Sequence, residues 1–219
     1  KSLKCVNYYT NEEIQVPLDP QLSAHENSVK YFDRYAKLKR TWEALSVQIQ
    51  ETKDELEHLD SISTALDIAV SEDDLIQLKE ELIQFGYIKR HYSSKKGNKK
   101  VRINSKPFHY ISSDGFHMYV GKNNFQNEEL TFKFATGNDW WFHAKGIPGS
   151  HVIVKSEGQE LPDRTFEEAG RLAAYYSKGR DAEKVEIDYV QKKQVKKTPG
   201  GKPGFVIYHT NYSLLIDPD

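Results

Sequence analysis

Between residues 24 and 69 the chain contains neither glycine nor proline. A stretch that long without a helix breaker favours one continuous helix. A seam, apolar except at Thr52 and Ser63, runs along it through Tyr31, Tyr35, Leu38, Trp42, Leu45, Ile49, Thr52, Leu56, Leu59, Ser63 and Leu66. Its steps alternate four and three, the 3.5-residue period of a coiled coil. At 1.5 Å per residue an unbroken helix would reach about 70 Å, so an arm that projects from the rest of the chain is expected. The seam needs a partner. The one other helical segment before the C-terminal region, SEDDLIQLKEELIQFG, is too short to cover it; Ser71 and Asp74 stand there at capping-box spacing and Gly86 at the C-terminal cap. The partner is therefore expected either upstream of Lys1 or in a second copy, a homodimer. The chain opens at Lys1 in mid-pattern, as a fragment would.

The flanks read differently. Residues 1–18 alternate on either side of Thr10-Asn11-Glu12 and predict a small hairpin. Asp19-Pro20 offers a cap and a first-turn proline for the long helix. The organisation expected is a hairpin at the arm's tip (1–18), the long helix with its short successor (19–86), a basic linker (87–100) and a sheet domain (101–219). In the last, short alternating runs follow one another: VRINS, PFHYISS, FHMYVGK, LTFKFA, WWFHAK and SHVIVKS. One helix, TFEEAGRLAAYYSKG, has Thr165 and Glu168 as a capping box and Gly179 as its stop, and VEIDYV, GFVIYH and NYSLLID close the chain. The fold class is α+β: a long coiled-coil helical arm, then a mixed, largely antiparallel sheet domain with one main helix.

Net charge at pH 7 is −1 over 219 residues, so no whole-molecule field draws the chain to nucleic acid or membrane. Charge is segregated instead. Residues 51–81 hold eleven acidic and two basic side chains. The following stretch carries Lys89, Arg90, Lys95, Lys96, Lys99, Lys100 and Arg102, with no acid before Asp114. A second basic run, QKKQVKKTPGGKPG, sets Lys192, Lys193, Lys196, Lys197 and Lys202 on a Gly/Pro-rich loop. Lysines beside glycines suit phosphate backbones, which ask for charge and close approach; the plainer reading of either run is a solvated surface. Cys5 is the only cysteine, which excludes an internal disulfide and points to a reducing compartment. No run is long enough to span a membrane, and no signal peptide is evident.

The stretch WWFHAKGIPGSHVIVK reads as strand-turn-strand. Alternation puts Trp140, Phe142 and Ala144 on the core face and Trp141, His143 and Lys145 on the other, an aromatic-cationic face. His143, His151 and Asp139 could be drawn as a metal site, but no third imidazole falls at ligand spacing, and no metal or cofactor is expected. Ser150 and His151, adjacent on a strand, face opposite sides and cannot form a nucleophile-base pair. Glu186 and Asp188 share a strand face, a weak signal by itself. The residues argue for a binding module and against an autonomous enzyme, with no catalytic residue.

Several of these strings together resemble one family: NYYTNEEIQVPLDPQLSAHENSVKYFDRYAKLK, EELIQFGYIK, SSDGFHMYVGKNNFQNEELTFKFA, NDWWFHAKGIPGSHVIVK, and the run from EEAGRLAAYYSKGRDAEK to GFVIYHTNYS. They are similar to the coiled-coil and C-terminal NFACT-R parts of the bacterial RqcH/FbpA proteins, relatives of eukaryotic NEMF. The resemblance implies a cytoplasmic factor that binds the obstructed large ribosomal subunit, its rRNA and tRNA, and supports alanine tailing of stalled chains, the peptide-bond chemistry being the ribosome's. Residues 101–219 would be the RNA-binding domain. Its surface would comprise Trp141, His143, Lys145, His151, Lys192, Lys193, Lys196 and Lys197, with Lys95, Lys96, Lys99 and Lys100 of the linker, and Gly149 letting the backbone approach an anion. The same family includes fibronectin-binding surface proteins without export signals. The alternative is accordingly an anchorless adhesin for host fibronectin, docking at the hairpin edge or the basic loops.

Overall fold

The computed structural model describes residues 1–90 and 105–218. Lys95, Lys96, Lys99 and Lys100, most of the basic linker and nearly all of the VRINS run lie outside the described residues. Contacts group the chain into two compact units, Lys1–Glu55 and Leu56–Asp219. The division falls inside the long helix.

In the first unit, β1 (Ser2–Val6) and β2 (Glu13–Pro17) pair antiparallel, with Ser2 opposite Pro17. Asn11 takes the left-handed conformation (φ 56°) that the tight connection requires and asparagine tolerates. The long helix α1 (Ala24–Ile68) follows, matching the stretch without breakers. It is not capped by Asp19-Pro20 as expected. Ser23 and Glu26 form the reciprocal box instead, the Glu26 carboxylate accepting from the Ser23 N–H at 2.7 Å and Ser23 Oγ from the Glu26 N–H at 3.2 Å. Asp19 accepts from the Gln21 N–H and from Lys30. Buried Asn27 accepts from the Asp19 N–H and donates toward the carbonyls of Asp19, Leu22 and Ser23, closing the connection. The seam residues of α1 lie open, Trp42 at 70% exposure.

In the second unit the end of α1 meets α2 (Glu72–Gln84), which starts at the Ser71/Asp74 capping box. Gly86 follows its last turn at φ 78°, the left-handed C-terminal stop that favours glycine. Ile62, Ala65 and Leu78 make the small apolar contact between them. Beneath it lies a buried polar chain. His58 Nε2 sits 2.9 Å from Glu81 Oε1, His58 Nδ1 is 3.1 Å from the Tyr87 hydroxyl, and Asn124 Nδ2 donates to Glu81 at 2.8 Å. Asp74 pairs with Lys122 at 3.3 Å. These bonds tie the helix ends to the sheet domain, which is why the units divide upstream of them.

The sheet domain runs β3 (Phe108–Ile111), β4 (His117–Val120), α3 (Asn124–Glu129), β5 (Trp140–Ala144), β6 (Val152–Val154), α4 (Asp163–Tyr175), β7 (Val185–Gln191), β8 (Lys196–Lys197), β9 (Val206–Ile207) and β10 (Tyr212–Ile216). Six strands form one antiparallel sheet in the order β10-β7-β5-β6-β4-β3, and β8 with β9 forms a separate ribbon. On one face α4 packs over Val120, Phe142, Ala144, Val152, Val154 and Ile187.

Two expectations fail here for local reasons. LTFKFA is no strand: α3, capped by Asn123, continues into a π-helical turn over Leu130–Phe134, with the Ala135 N–H reaching the Leu130 carbonyl. Thr165 and Glu168 do not cap α4, which begins at Asp163 without a side-chain cap. Thr165 Oγ1 instead bonds Asp114 at 2.8 Å, and Glu168 accepts from the Ser113 N–H at 2.8 Å. The β3–β4 turn thus claims both side chains. The helix also ends at Tyr175, short of Gly179.

Candidate nucleic-acid interface

Strand alternation in β5 is as the sequence predicts, Phe142 and Ala144 lying on the α4 side. The opposite face is not open, however. Leu130, Ile153, Val190 and Val195 close a second core there, with Val206 and Tyr208 laid over it. Trp141 is fully buried and His151 only 2% exposed. The indole stacks on His143 at 5.6 Å and meets His151 and Tyr208 at 5.1 and 5.0 Å. Trp141 and His151 are therefore core residues in this fold, a correction to their placement on an RNA-facing surface. The physical reason is that the segment after β7 folds back over the sheet, which alternation within one strand cannot reveal.

His143 keeps partial exposure. Burial of its ring lowers the pKa to about 4, against hydrogen bonding with the Gly149 and Ala144 backbone and the charge of Asp188. Burial likewise holds His151 well below the usual value, with His143 adding to it; its Nδ1 lies 2.7 Å from Thr131 Oγ1. Both rings are therefore neutral at pH 7 and carry no charge toward phosphate. Lys145 is also committed: its ammonium bonds Glu186 at 2.5 Å and lies 3.8 Å from Asp188, and the Glu186 bond raises its pKa. Asp188 in turn accepts from the Tyr208 and Ser213 hydroxyls. Gly149 does give close approach, but to Ser177: a Cβ there would stand 2.9 Å from the Ser177 Cβ, so the glycine serves packing and not an anion.

The basic loop differs residue by residue. After β7, one turn of 3-10 helix carries Lys192 and Lys193, and Lys196 and Lys197 lie in β8, paired with Ile207 and Val206. Lys193 and Lys196 are exposed and make no ion pair among the described residues. Lys197 reaches Glu128 at 2.8 Å. Lys192 Nζ stands 5.7 Å from the Phe132 ring centre. Lys202 donates to the Tyr87 hydroxyl at 2.7 Å and lies over the Phe85 and Tyr87 rings.

Sequence reading missed a partly exposed aromatic row at the other edge of the same face, with His109 and Phe134 exposed and His117 and Tyr119 half-buried. His109 of β3 lies edge to edge and nearly coplanar with His117, ring centres 5.0 Å apart, and stacks on Tyr119 of β4 at 4.7 Å, while Phe134 meets Tyr119 edge-on at 4.6 Å. Alternation in FHYI and HMYV carried the signal, since Phe108, Tyr110, Met118 and Val120 take the core face.

A long helix followed by an antiparallel sheet domain with an exposed basic loop defines the class: an α+β chain with a helical N-terminal unit. Residues 1–101 match the family described as NFACT N-terminal and middle domains, and residues 106–209 the NFACT protein RNA binding domain. Over 214 residues, 97% of this chain and 38% of the relative, it is 43% identical to the Rqc2 homolog RqcH of Streptococcus pneumoniae. The Bacillus subtilis Rqc2 homolog RqcH is 37% identical over 222 residues, again 38% of its length. A solved structure of the C-terminal part of the fibronectin/fibrinogen-binding protein of Streptococcus suis aligns with a TM-score of 0.78 at 39% identity, covering 91% of this chain and 78% of that one. The chain belongs to the RqcH/FbpA family of NFACT proteins. It spans well under half the length of the curated relatives it matches. Among the described residues no helix is long and apolar enough to cross a membrane.

Proposed function

We propose that this chain is the C-terminal, RNA-contacting part of an RqcH-like ribosome quality-control factor. It binds the obstructed large subunit and tRNA, and supports alanine tailing of the stalled chain. In this reading it acts in the cytoplasm as a binding module, and the ribosome performs the peptide-bond chemistry. The observation that carries the reading is the contrast in charge pairing. Lys122, Lys145, Lys155, Lys178 and Lys197 each face a carboxylate, whereas Lys193 and Lys196 stand exposed without one among the described residues. Unmatched surface cations release counterions when they meet phosphate. The resemblance of the relatives named Rqc2 homolog RqcH and of the NFACT RNA binding domain supports the same partner.

The test is tRNA affinity across a salt series. Changing Lys193 and Lys196 to glutamate is expected to weaken binding at least tenfold at low salt and to make the log–log salt slope shallower by about two. An unchanged slope would remove the loop from the interface.

A second reading has two supports. The Streptococcus suis neighbour is named a fibronectin/fibrinogen-binding protein, and the β1–β2 hairpin offers strand edges unpaired among the described residues, of the kind that accept an added strand. Surface export and fibronectin binding would be a second activity of the same polypeptide. The open seam of α1 is proposed to pair with another helix, from a second copy or from the remainder of a longer chain.

A further inference from the structure

We infer that the row His117–His109–Tyr119–Phe134 is a stacking platform for unpaired RNA bases, feeding a single strand toward the basic loop. The inference rests on the RNA-binding reading above and adds a site and a strand preference to it. The three rings from β3 and β4 lie nearly parallel, with interplanar angles of 13° and 16°. His109 and His117 are also held by a ring-nitrogen hydrogen bond of 2.8 Å. The row is thus fixed in place before any ligand arrives, which lowers the ordering cost of binding. His109 and Phe134 are exposed, and Ile111 beside them is 60% exposed.

Cations line the far end. Lys155 stands 5.1 Å over Phe134, and Lys192 lies 5.7 Å from Phe132 two residues earlier on the same turn. Lys133, between those phenylalanines, is exposed and makes no ion pair among the described residues. The Lys193 N–H bonds the Gly137 carbonyl three residues past Phe134, which places the basic loop beside this turn. Asp139, the carboxylate at this end, is already bonded to Lys155. Rings in series beside unmatched lysines are what an unpaired strand requires: faces for bases, charge for phosphates. A duplex presents no base faces, so the rings can favour only a single strand.

The experiment measures binding of a fluorescein-labelled 12-nucleotide oligoadenylate and of a 12-base-pair RNA duplex to the full chain, by anisotropy. The variants are His109→Ala with Phe134→Ala, and Lys193→Glu with Lys196→Glu. Both rings are exposed, and a thermal melt confirms that the first variant folds. The inference expects the ring variant to lose about tenfold or more in single-strand affinity and to hold the duplex within about twofold. The lysine variant should weaken both. A ring variant that weakens both RNAs alike, or neither, overturns the platform while the lysine variant still reports on the loop. If the unmodified chain binds neither RNA, both readings fall.

Discussion

Trp141→Ala is expected to destabilise the sheet domain by about 3–5 kcal/mol, lowering its melting temperature by roughly 10 °C. The side chain is fully buried between Leu130, Ile153, Val190 and Val195 and stacks on His143. Its removal leaves a cavity that β5, fixed on both sides by β6 and β7, cannot close. Trp141→Phe should recover most of the loss, because the indole N–H has no hydrogen-bond partner among the described residues to forfeit. RNA affinity measured well below the melting point should change by no more than about twofold, a small effect on the 1.4 kcal/mol-per-decade scale. Near-ultraviolet circular dichroism during a thermal ramp, with anisotropy at low temperature, separates the two readouts. A stable variant with lost RNA binding would return the indole to the surface.

Acid is expected to unfold the same domain through its two desolvated imidazoles. The pKa of His143 is lowered to about 4 and that of His151 also falls well below 6.5, in both cases first by burial. The unfolded chain therefore takes up protons that the folded one refuses. Stability from these groups is complete above pH 6.5 and is lost as pH falls below it, for His143 down to about 4, at about 1.4 kcal/mol per pH unit for each imidazole while it titrates only in the unfolded chain. Asp139 and Asp74 add to the loss at lower pH. Burial raises their pKa, but hydrogen bonds outweigh it, from Lys155 and Thr136 in the one case and from Ser105 and Val70 in the other. Their stabilisation is thus present above 3.8 and disappears as pH falls below it. Urea midpoints measured from pH 7.5 to 4 should fall steadily below 6.5. His143→Gln, which keeps a polar group near the Gly149 backbone, should flatten the slope by about one proton. A midpoint constant across that range would mean that the imidazoles are solvated.

What the sequence disclosed follows from which forces are local. The absence of breakers and the 3.5-residue seam located α1, because helix continuity depends on neighbouring residues. The Ser71/Asp74 box was legible for the same reason. Thr165 and Glu168 carry an equally good box, yet the β3–β4 turn uses their side chains, a competition between segments some fifty residues apart. The π-helical turn over Leu130–Phe134 hides in an alternating string, since LTFKF satisfies a two-residue period as readily as a tight helix. At the candidate site, alternation assigned the two faces of β5 but not what covers them. The loop that carries Val195, Val206 and Tyr208 across Trp141 is a tertiary event. An aromatic row of the kind sought at Trp141, His143 and Lys145 lies instead at His109, Tyr119 and Phe134, with Lys155 over Phe134, where the edge of that face is partly exposed among the described residues.

Co-sedimentation with large ribosomal subunits carrying peptidyl-tRNA, across a salt series, tests the central claim most directly. The chain and a variant with Lys192, Lys193, Lys196 and Lys197 changed to glutamate would be compared, with immobilised fibronectin as a parallel surface. The account predicts that the chain pellets with the subunits at low salt and is released as salt rises, while the variant stays in the supernatant. Equal sedimentation of the two proteins, or binding to fibronectin alone, would contradict it.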